Sequence, residues 1–492
     1  MTPVATQPVA AVGASAVRAD RRPSLRFLGG VGTVTGSKFL LTTAGSTVLI
    51  DCGLFQGHKE LRLRNRAELP FEVGSLDAVV VTHAHIDHLG YLPALTRAGL
   101  RASVHMTPGS QALAAVVLPD AGRLQEEEAE HANRVGSSRH HPAKPLFTEE
   151  DAMRSLESIV ATPFGVPVEV AGDVTVTFRR SGHILGSSWV LIEVDGFGAI
   201  AVSGDLGRAH HPLLLPPEPL VAVETVLVES TYGDRLHDVD DSAQQLADAV
   251  TRTAARGGSI VIPSFAVDRT EVLLMKLRQL MRVGAIPELP VFVDSPMALE
   301  ALRAYRRAID ERWPEIRPEA FVADDPFDTG QLRECRTVEE SKAIAKLRYP
   351  SIIISASGMA TGGRVLHHLV DHLPDSRDTV VLPGFQVAGT RGWQLATGAR
   401  QVKIFGEYID VRAEIVPLEG FSVHADQAEL VEWLATAPGP PRTCFVVHGE
   451  PGASAALADA IHDRLGWRAI VPSDDELVLL GRRPSKPEGV SP

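Results

Sequence analysis

The chain has 492 residues, a length that accommodates roughly two to four domains. Hydrophobic residues make up 44% and charged residues 22%, an ordinary globular balance that excludes a disordered or collagen-like chain. The net charge of −13 argues against coating nucleic acid by bulk electrostatics, so any nucleic-acid role must rest on a local site, aided by bound cations.

In chain order, residues 1–23 are rich in Ala, Val and Pro, with Pro3 and Pro8 early and no basic residue before Arg18. A secretory signal places its positive charge first and an unbroken apolar stretch after it, so a disordered tail is expected instead. Short β-rich runs then dominate to about 205. They cover 47–50, ending at Asp51, then 77–81, ending at a histidine cluster, then 174–178, 189–194 and 199–202. Residues 108–153 interrupt them with Ala-rich helical spacing; Glu126, Glu127 and Glu128 read as a helix face, and a polar loop follows at 136–141.

From about 225 the rhythm changes. Strands at 225–228, 259–262, 291–293 and 351–354 alternate with helices near 242–255, 269–283, 297–309 and 363–372. Such alternation predicts a parallel sheet with helices on both faces. Beyond about 420 come one more strand, 443–447, a helix, 452–465, and a second disordered tail at 483–492. The change of rhythm suggests one domain inserted in another: 24–224 and 421–482 forming the host, 225–420 the insert.

No apolar run reaches the roughly 18–20 residues that span a bilayer, so no membrane role is expected. Cys52, Cys335 and Cys444 are too few and too scattered for a disulfide framework, and no CxxC occurs. A reducing, cytoplasmic compartment fits that usage.

The strongest chemical signal is His83-Ala-His85-Ile-Asp87-His88. Three imidazoles and a carboxylate in a tight turn after a strand can reach one or two divalent ions. That turn cannot close two coordination spheres alone. Further ligands are expected from His183 in Ser181-Gly-His-Ile-Leu-Gly, Asp205 in Ser203-Gly-Asp-Leu-Gly, and His448 in Val446-Val-His-Gly-Glu, all at strand ends. Each alone would read as a turn residue. The pairs at 140–141, 210–211 and 367–368 read as solvated or structural histidines. The glycines at 30, 32 and 36 miss the dinucleotide-binding spacing by one place, and no phosphate-binding P-loop is present.

These motifs, with Asp51 in Ile-Asp-Cys-Gly, resemble those of the metallo-β-lactamase superfamily. Glu229 in Val-Glu-Ser-Thr-Tyr-Gly, His424 in Phe-Ser-Val-His-Ala-Asp, and His448 resemble motifs A, B and C of its β-CASP branch. Segments 264–270, 357–364 and 384–390 are also similar to β-CASP segments. The resemblance covers about 24–480 and is strongest to bacterial proteins similar to the 3′-end-processing endonuclease subunit of the cleavage and polyadenylation machinery. It implies an α/β fold, an αββα metallo-β-lactamase sandwich with an inserted Rossmann-like β-CASP domain.

The resemblance also implies two Zn2+ per chain. One would take His83, His85 and His183; the other would take Asp87, His88 and His448, with Asp205 bridging. Asp51 would orient a ligand through hydrogen bonds, if it is not simply a turn cap. Two close ions lower the pKa of a shared water and draw charge from phosphoryl oxygens. Asp87 and Asp205 would thus be catalytic through the metals, and His424, oriented by Glu229, would protonate the leaving ribose oxygen. The insert would hold the polyanion through Ser357, Gly358, Gly362, Gly363, Arg364 and Arg269, whose alternatives are glycines for packing and arginines for solvent.

The expected activity is a zinc-dependent endoribonuclease on single-stranded RNA, with homo-oligomerisation left open. One departure is Asp268 before Arg269, where these proteins often carry Gly-Arg. The chain also lacks the long C-terminal extension of the RNase J type, which argues against a dedicated 5′ exonuclease. The alternatives are a DNA nuclease of the same fold, for which His448 is the wrong residue type; a hydrolase of small esters or thioesters, which needs no insert; and an inactive RNA-binding scaffold, which would have lost ligands.

Overall fold

A computed structural model describes residues 22–136, 141–237, 241–321, 324–384 and 386–481, apart from the side chain of residue 419. Nearly all of both expected tails, His140 with most of the 136–141 loop, and Phe385 of the 384–390 segment lie outside the described residues.

The β-rich runs build two seven-stranded sheets. In the first, Ser24–Gly29, Lys38–Thr42 and Thr47–Ile50 form an antiparallel meander. It continues in parallel through Ala78–Val80, Ser103–Met106 and Ile159–Ala161. The second sheet runs, in spatial order, Ala469–Ile470, Thr443–Val446, Thr225–Val228, Gly198–Val202, Ser188–Val194, Val174–Arg180 and Val168–Ala171.

Strand alternation decides how the two sheets pack. Phe27, Phe39, Val48, Ile50 and Val80 meet Phe178, Val190, Ile192, Val202, Leu227 and Phe445 in one buried layer. The rings of Phe27 and Phe445 lie 5.1 Å apart within it. The other parity of the first sheet, Leu49 and Val79, packs on helices Leu92–Arg97 and Pro108–Val135. That of the second sheet, Val226, Val228 and Val446, packs on Gln427–Ala435 and Pro451–Leu465. The result is a helix–sheet–sheet–helix sandwich, in which each fully buried Leu, Ile, Val or Phe contributes roughly 1.5–3 kcal/mol.

The alternating segment forms a third sheet of six strands, all its pairs parallel. Parallel strands covered on both faces are apolar at every position, which is why 260–262 and 352–354 read as continuous Ile/Val runs. Ile260, Ile262, Ile352 and Ile354 face Leu273, Leu277 and Leu302. Val261, Ile353 and Val380 face Val365 and Leu369. The chain leaves the second sheet after Thr225–Val228 and returns to it at Thr443–Val446, and these two strands pair in parallel.

Three features differ from the sequence reading. The helix expected from 363 begins at Val365, because Gly363 holds φ +75° and cannot lie in a helix. Strands Leu332–Glu334 and Glu414–Leu418 join the third sheet's edges, and Gln401–Ile404 pairs with Glu407–Asp410. Two of these four strands keep no buried residue and none runs beyond five residues, so they carry little apolar signal.

Candidate active site

Apart from His424, which follows the short 3-10 turn Glu419–Phe421, each chemical side chain sits just past a strand. Asp51 follows Thr47–Ile50, and His83 to His88 follow Ala78–Val80, with Asp87 and His88 on the short helix Ile86–Leu89. His183 follows Val174–Arg180, Asp205 follows Gly198–Val202, Glu229 follows Thr225–Val228 and His448 follows Thr443–Val446. Two glycines allow these turns to converge. A Cβ on Gly53 would lie 1.6 Å from the Asp87 carbonyl, and one on Gly204 would lie 2.7 Å from Thr82 Cβ. Asp51 and His448 themselves hold φ of +56° and +51°, a conformation costly for a side-chain-bearing residue and typical of functional sites.

The histidines and carboxylates come together as two groups joined by one residue. His85 Nδ1 lies 3.1 Å from His83 Nε2 and 3.2 Å from His183 Nε2. His88 Nε2 lies 3.1 Å from His448 Nε2, which is 3.5 Å from Asp87 Oδ2. Asp205 spans both groups. Its Oδ2 is 3.5 Å from His83 and 3.6 Å from His183; its Oδ1 is 3.3 Å from His88 and 3.4 Å from His448.

This arrangement fits divalent metal. Three imidazole nitrogens aimed at one point can all present lone pairs there, an arrangement that a cation satisfies. The edge of a tetrahedron of metal–nitrogen bonds of about 2.0–2.1 Å is roughly 3.3 Å, close to the separations found. His83, His85, His183 and Asp205 form one potential ligand set, and Asp87, His88 and His448 another. Burial lowers the His83 imidazole to about 3 and holds His85 and His183 below their ordinary values, leaving nitrogen lone pairs free. Burial opposes ionisation of Asp87 and Asp205, but the surrounding imidazoles outweigh it and keep both carboxyls low.

Asp51 belongs to neither potential ligand set. Its Oδ2 lies 2.7 Å from His88 Nδ1, and it accepts from Thr82 N at 2.8 Å and Thr82 Oγ1 at 3.0 Å. Thr82 Oγ1 also lies 3.0 Å from His83 Nδ1, so one hydroxyl and one carboxylate orient two rings. The sequence reading missed Thr82, although it directly precedes His83. Beside the cluster, His424 Nδ1 lies 3.5 Å from Glu229 Oε2 and 3.8 Å from Asp205 Oδ2. Burial alone would depress His424, but Glu229 and Asp205 hold it above its ordinary value. Glu229 Oε1 accepts from Leu206 N at 2.6 Å, and Ala425 N donates to Leu206 O at 2.8 Å, which ties both residues to the Asp205 turn.

The insert's loops are placed less simply. Ser357 Oγ pairs with Thr361 Oγ1 at 2.9 Å. Gly358 packs on Phe265, where a Cβ would come within 2.9 Å of its ring; Gly362 faces open space. Arg269 is buried, donates to Pro383 O at 2.6 Å and lies close enough to His424 to act on its charge. Arg364 corrects the expectation made for it. Its guanidinium donates to Asp294 Oδ1 at 2.7 Å, Cys335 O at 3.2 Å and Arg336 O at 2.9 Å, so it is an internal tie and not an open phosphate contact. Asp294 is fully buried and is also held by His368 Nε2 at 2.7 Å. Arg364→Ala is therefore expected to lower unfolding free energy by about 1–3 kcal/mol, the cost of leaving a buried acceptor short of a donor. The salt dependence of RNA binding should stay as in wild type; a reduced slope, measured by fluorescence anisotropy across a salt series, would return Arg364 to the phosphate path.

Comparison with known proteins agrees with this fold. Residues 31–110 match the metallo-beta-lactamase superfamily, 270–395 the Beta-Casp domain, and 408–472 the Zn-dependent metallo-hydrolase RNA specificity domain. The chain is 35% identical to Ribonuclease TTHA0252 of Thermus thermophilus, over 86% of this chain and 92% of that protein. It is 31% identical to Transcription termination factor FttA of Thermococcus kodakarensis, over 92% of this chain and 70% of that one. A solved structure from Enterococcus faecalis, titled a protein of unknown function, aligns over 93% of this chain and all of its own with a TM-score of 0.51 at 14% identity, a likeness of fold alone. The fold and the histidine–aspartate cluster are those of a metallo-hydrolase. The chain belongs to the metallo-β-lactamase superfamily, in its β-CASP branch.

Proposed function

We propose that the protein is a zinc-dependent endoribonuclease that hydrolyses phosphodiester bonds in single-stranded RNA. The observation that carries the reading is the pair of ligand groups sharing Asp205, with His424 and Glu229 beside them. The named ribonuclease relative, matched along 92% of its length, supports the substrate class. In domain terms, 24–224 and 421–482 are expected to form the metal-binding sandwich and 225–420 the β-CASP insert; Thr225–Val228 lies in the sandwich's second sheet, so the insert begins after that strand, and the return of the chain to a strand neighbouring its point of exit supports the rest of the division.

His83, His85 and His183 would hold one zinc ion, Asp87, His88 and His448 the other, with Asp205 between them. Such ions supply hydroxide at neutral pH and neutralise phosphoryl charge. The chain's own residues do the rest. Asp51 and Thr82 fix the rings of His88 and His83. His424 directs Nδ1 at Glu229, so the proton it gives the departing ribose oxygen is one carried on Nε2. Arg269 brings a buried positive charge towards the same point, and the 357–363 loop offers backbone N–H groups to the strand. The three cysteines are free and buried, in keeping with a reducing cytoplasm. Among the described residues no helix is long and apolar enough to cross a membrane.

The direct test incubates purified protein with end-labelled RNA and the matched DNA, with and without chelator, and sizes the fragments. Internal cleavage of RNA alone, abolished by chelator and restored by zinc, is the expected result. Shortening from one end only, or equal cleavage of DNA, would overturn the endoribonuclease reading. Elemental analysis of protein purified without chelator should find two metal ions per chain; a value of one or none would overturn the paired site.

A further inference from the structure

We infer that Asp268 is a positioning residue that ties the insert's helices to the loop carrying His183. Its catalytic consequence rests on the ribonuclease reading; the tie itself does not. Asp268 is the residue before helix Arg269–Arg282 and holds φ +67°, ψ −51°, a backbone suited to glycine. A glycine there would be the conformationally easy choice, yet the chain carries a carboxylate whose two oxygens are both used.

Its Oδ2 lies 3.0 Å from His211 Nε2. His211 Nδ1 accepts from the backbone N–H groups of Leu213 and Leu214, at 3.1 and 3.0 Å. That fixes the tautomer: Nε2 carries the proton and donates to Asp268. The other oxygen, Oδ1, accepts from Tyr305 Oη at 2.5 Å. Tyr305, on helix Pro296–Asp310, in turn accepts from Leu185 N at 2.9 Å. Leu185 is two residues beyond His183. His211, Asp268 and Tyr305 are all buried, and a buried network with every member paired is rigid.

One carboxylate thus joins four segments: the 211–214 turn, the His183 loop, the Pro296–Asp310 helix and the start of the helix that opens with Arg269. The first two belong to the sandwich and the last two to the third sheet's helices. Sliding the insert relative to the sandwich would break the tie, so it sets where Arg269 and the 357–363 loop stand relative to the ligand cluster. The histidine at 211, which read as solvated or structural in sequence, is one anchor of this strut.

The test uses Asp268→Gly, Tyr305→Phe and the double variant in the full chain. Glycine relieves the backbone, so Asp268→Gly should fold. Hydrogen exchange in peptides spanning 183–188, followed by mass spectrometry, reads the tie without any assay of cleavage. Each single variant is expected to speed exchange there by about tenfold or more. On RNA, at a temperature where each is fully folded, kcat should fall about 10–100-fold with KM changed less than about twofold, as for misplacement of catalytic groups. The double variant should be no worse than the more damaging single, because both changes break one network. Unchanged exchange at 183–188, additive losses, or reduced thermal stability with unchanged kcat would each overturn the proposal. If Asp268→Gly fails to fold, exchange in Tyr305→Phe decides. If wild-type protein cleaves no RNA, the ribonuclease reading fails while the exchange data still decide the tie.

Discussion

Asp87→Ala is expected to abolish RNA cleavage in a protein that remains folded. Asp87 brings a carboxylate 3.5 Å from His448 Nε2, in the group that also contains His88. Without it, two imidazoles and a shared Asp205 oxygen remain to hold the second ion. Loss of one well-held ion forfeits several kcal/mol of transition-state stabilisation, or at least about 10³-fold in rate. The fold should not notice. The backbone carbonyl of residue 87, which accepts from Ser37 N at 2.8 Å, survives the change, and alanine favours the short Ile86–Leu89 helix. Compared in their metal-free forms, variant and wild type should both unfold cooperatively from a folded state. Single-turnover cleavage, metal content and thermal unfolding measured on one preparation check all three points. Near-wild-type turnover in the folded variant would end the two-ion account.

The ligand cluster was legible in the sequence because strands deliver it. A largely apolar strand followed within three residues by Asp or His is visible without tertiary information, and His83, His183, Asp205 and His448 all carry that mark. The sandwich and the parallel sheet were legible for a related reason: their strands are apolar at alternate or at all positions. Arg364 shows where this stops. A guanidinium beside glycines reads the same whether it faces solvent or a buried carboxylate, and Asp294, its partner, lies 70 residues away. The tie through Asp268 was hidden likewise, since His211, Asp268 and Tyr305 meet only after the insert has docked. Even Thr82 escaped, because a threonine before a histidine looks like strand-end punctuation until its hydroxyl is seen between Asp51 and His83.

His424→Ala is expected to leave metal content and RNA affinity near wild type and to slow cleavage of ordinary RNA by roughly 10² to 10⁴-fold, the usual contribution of general acid catalysis. His424 stands at the edge of the cluster, its ring 4.3 Å from that of His183 and its Nδ1 towards Glu229 and Asp205. That position suits a proton donor to the leaving oxygen, but Asp205, Glu229 and His424 also lie close enough to form a ligand set themselves. A substrate whose scissile 3′ oxygen is replaced by sulfur separates the two. A thiolate departs without protonation, so most of the lost rate should return with that substrate if His424 is the acid. Glu229→Gln should show a weaker form of the same pattern, because it removes a charge that orients the imidazole and leaves the imidazole in place. If His424 instead holds metal or the fold, its loss lowers metal content or thermal stability and the sulfur substrate rescues nothing. Bound metal, melting temperature and both cleavage rates on a single preparation of the variant decide between these outcomes.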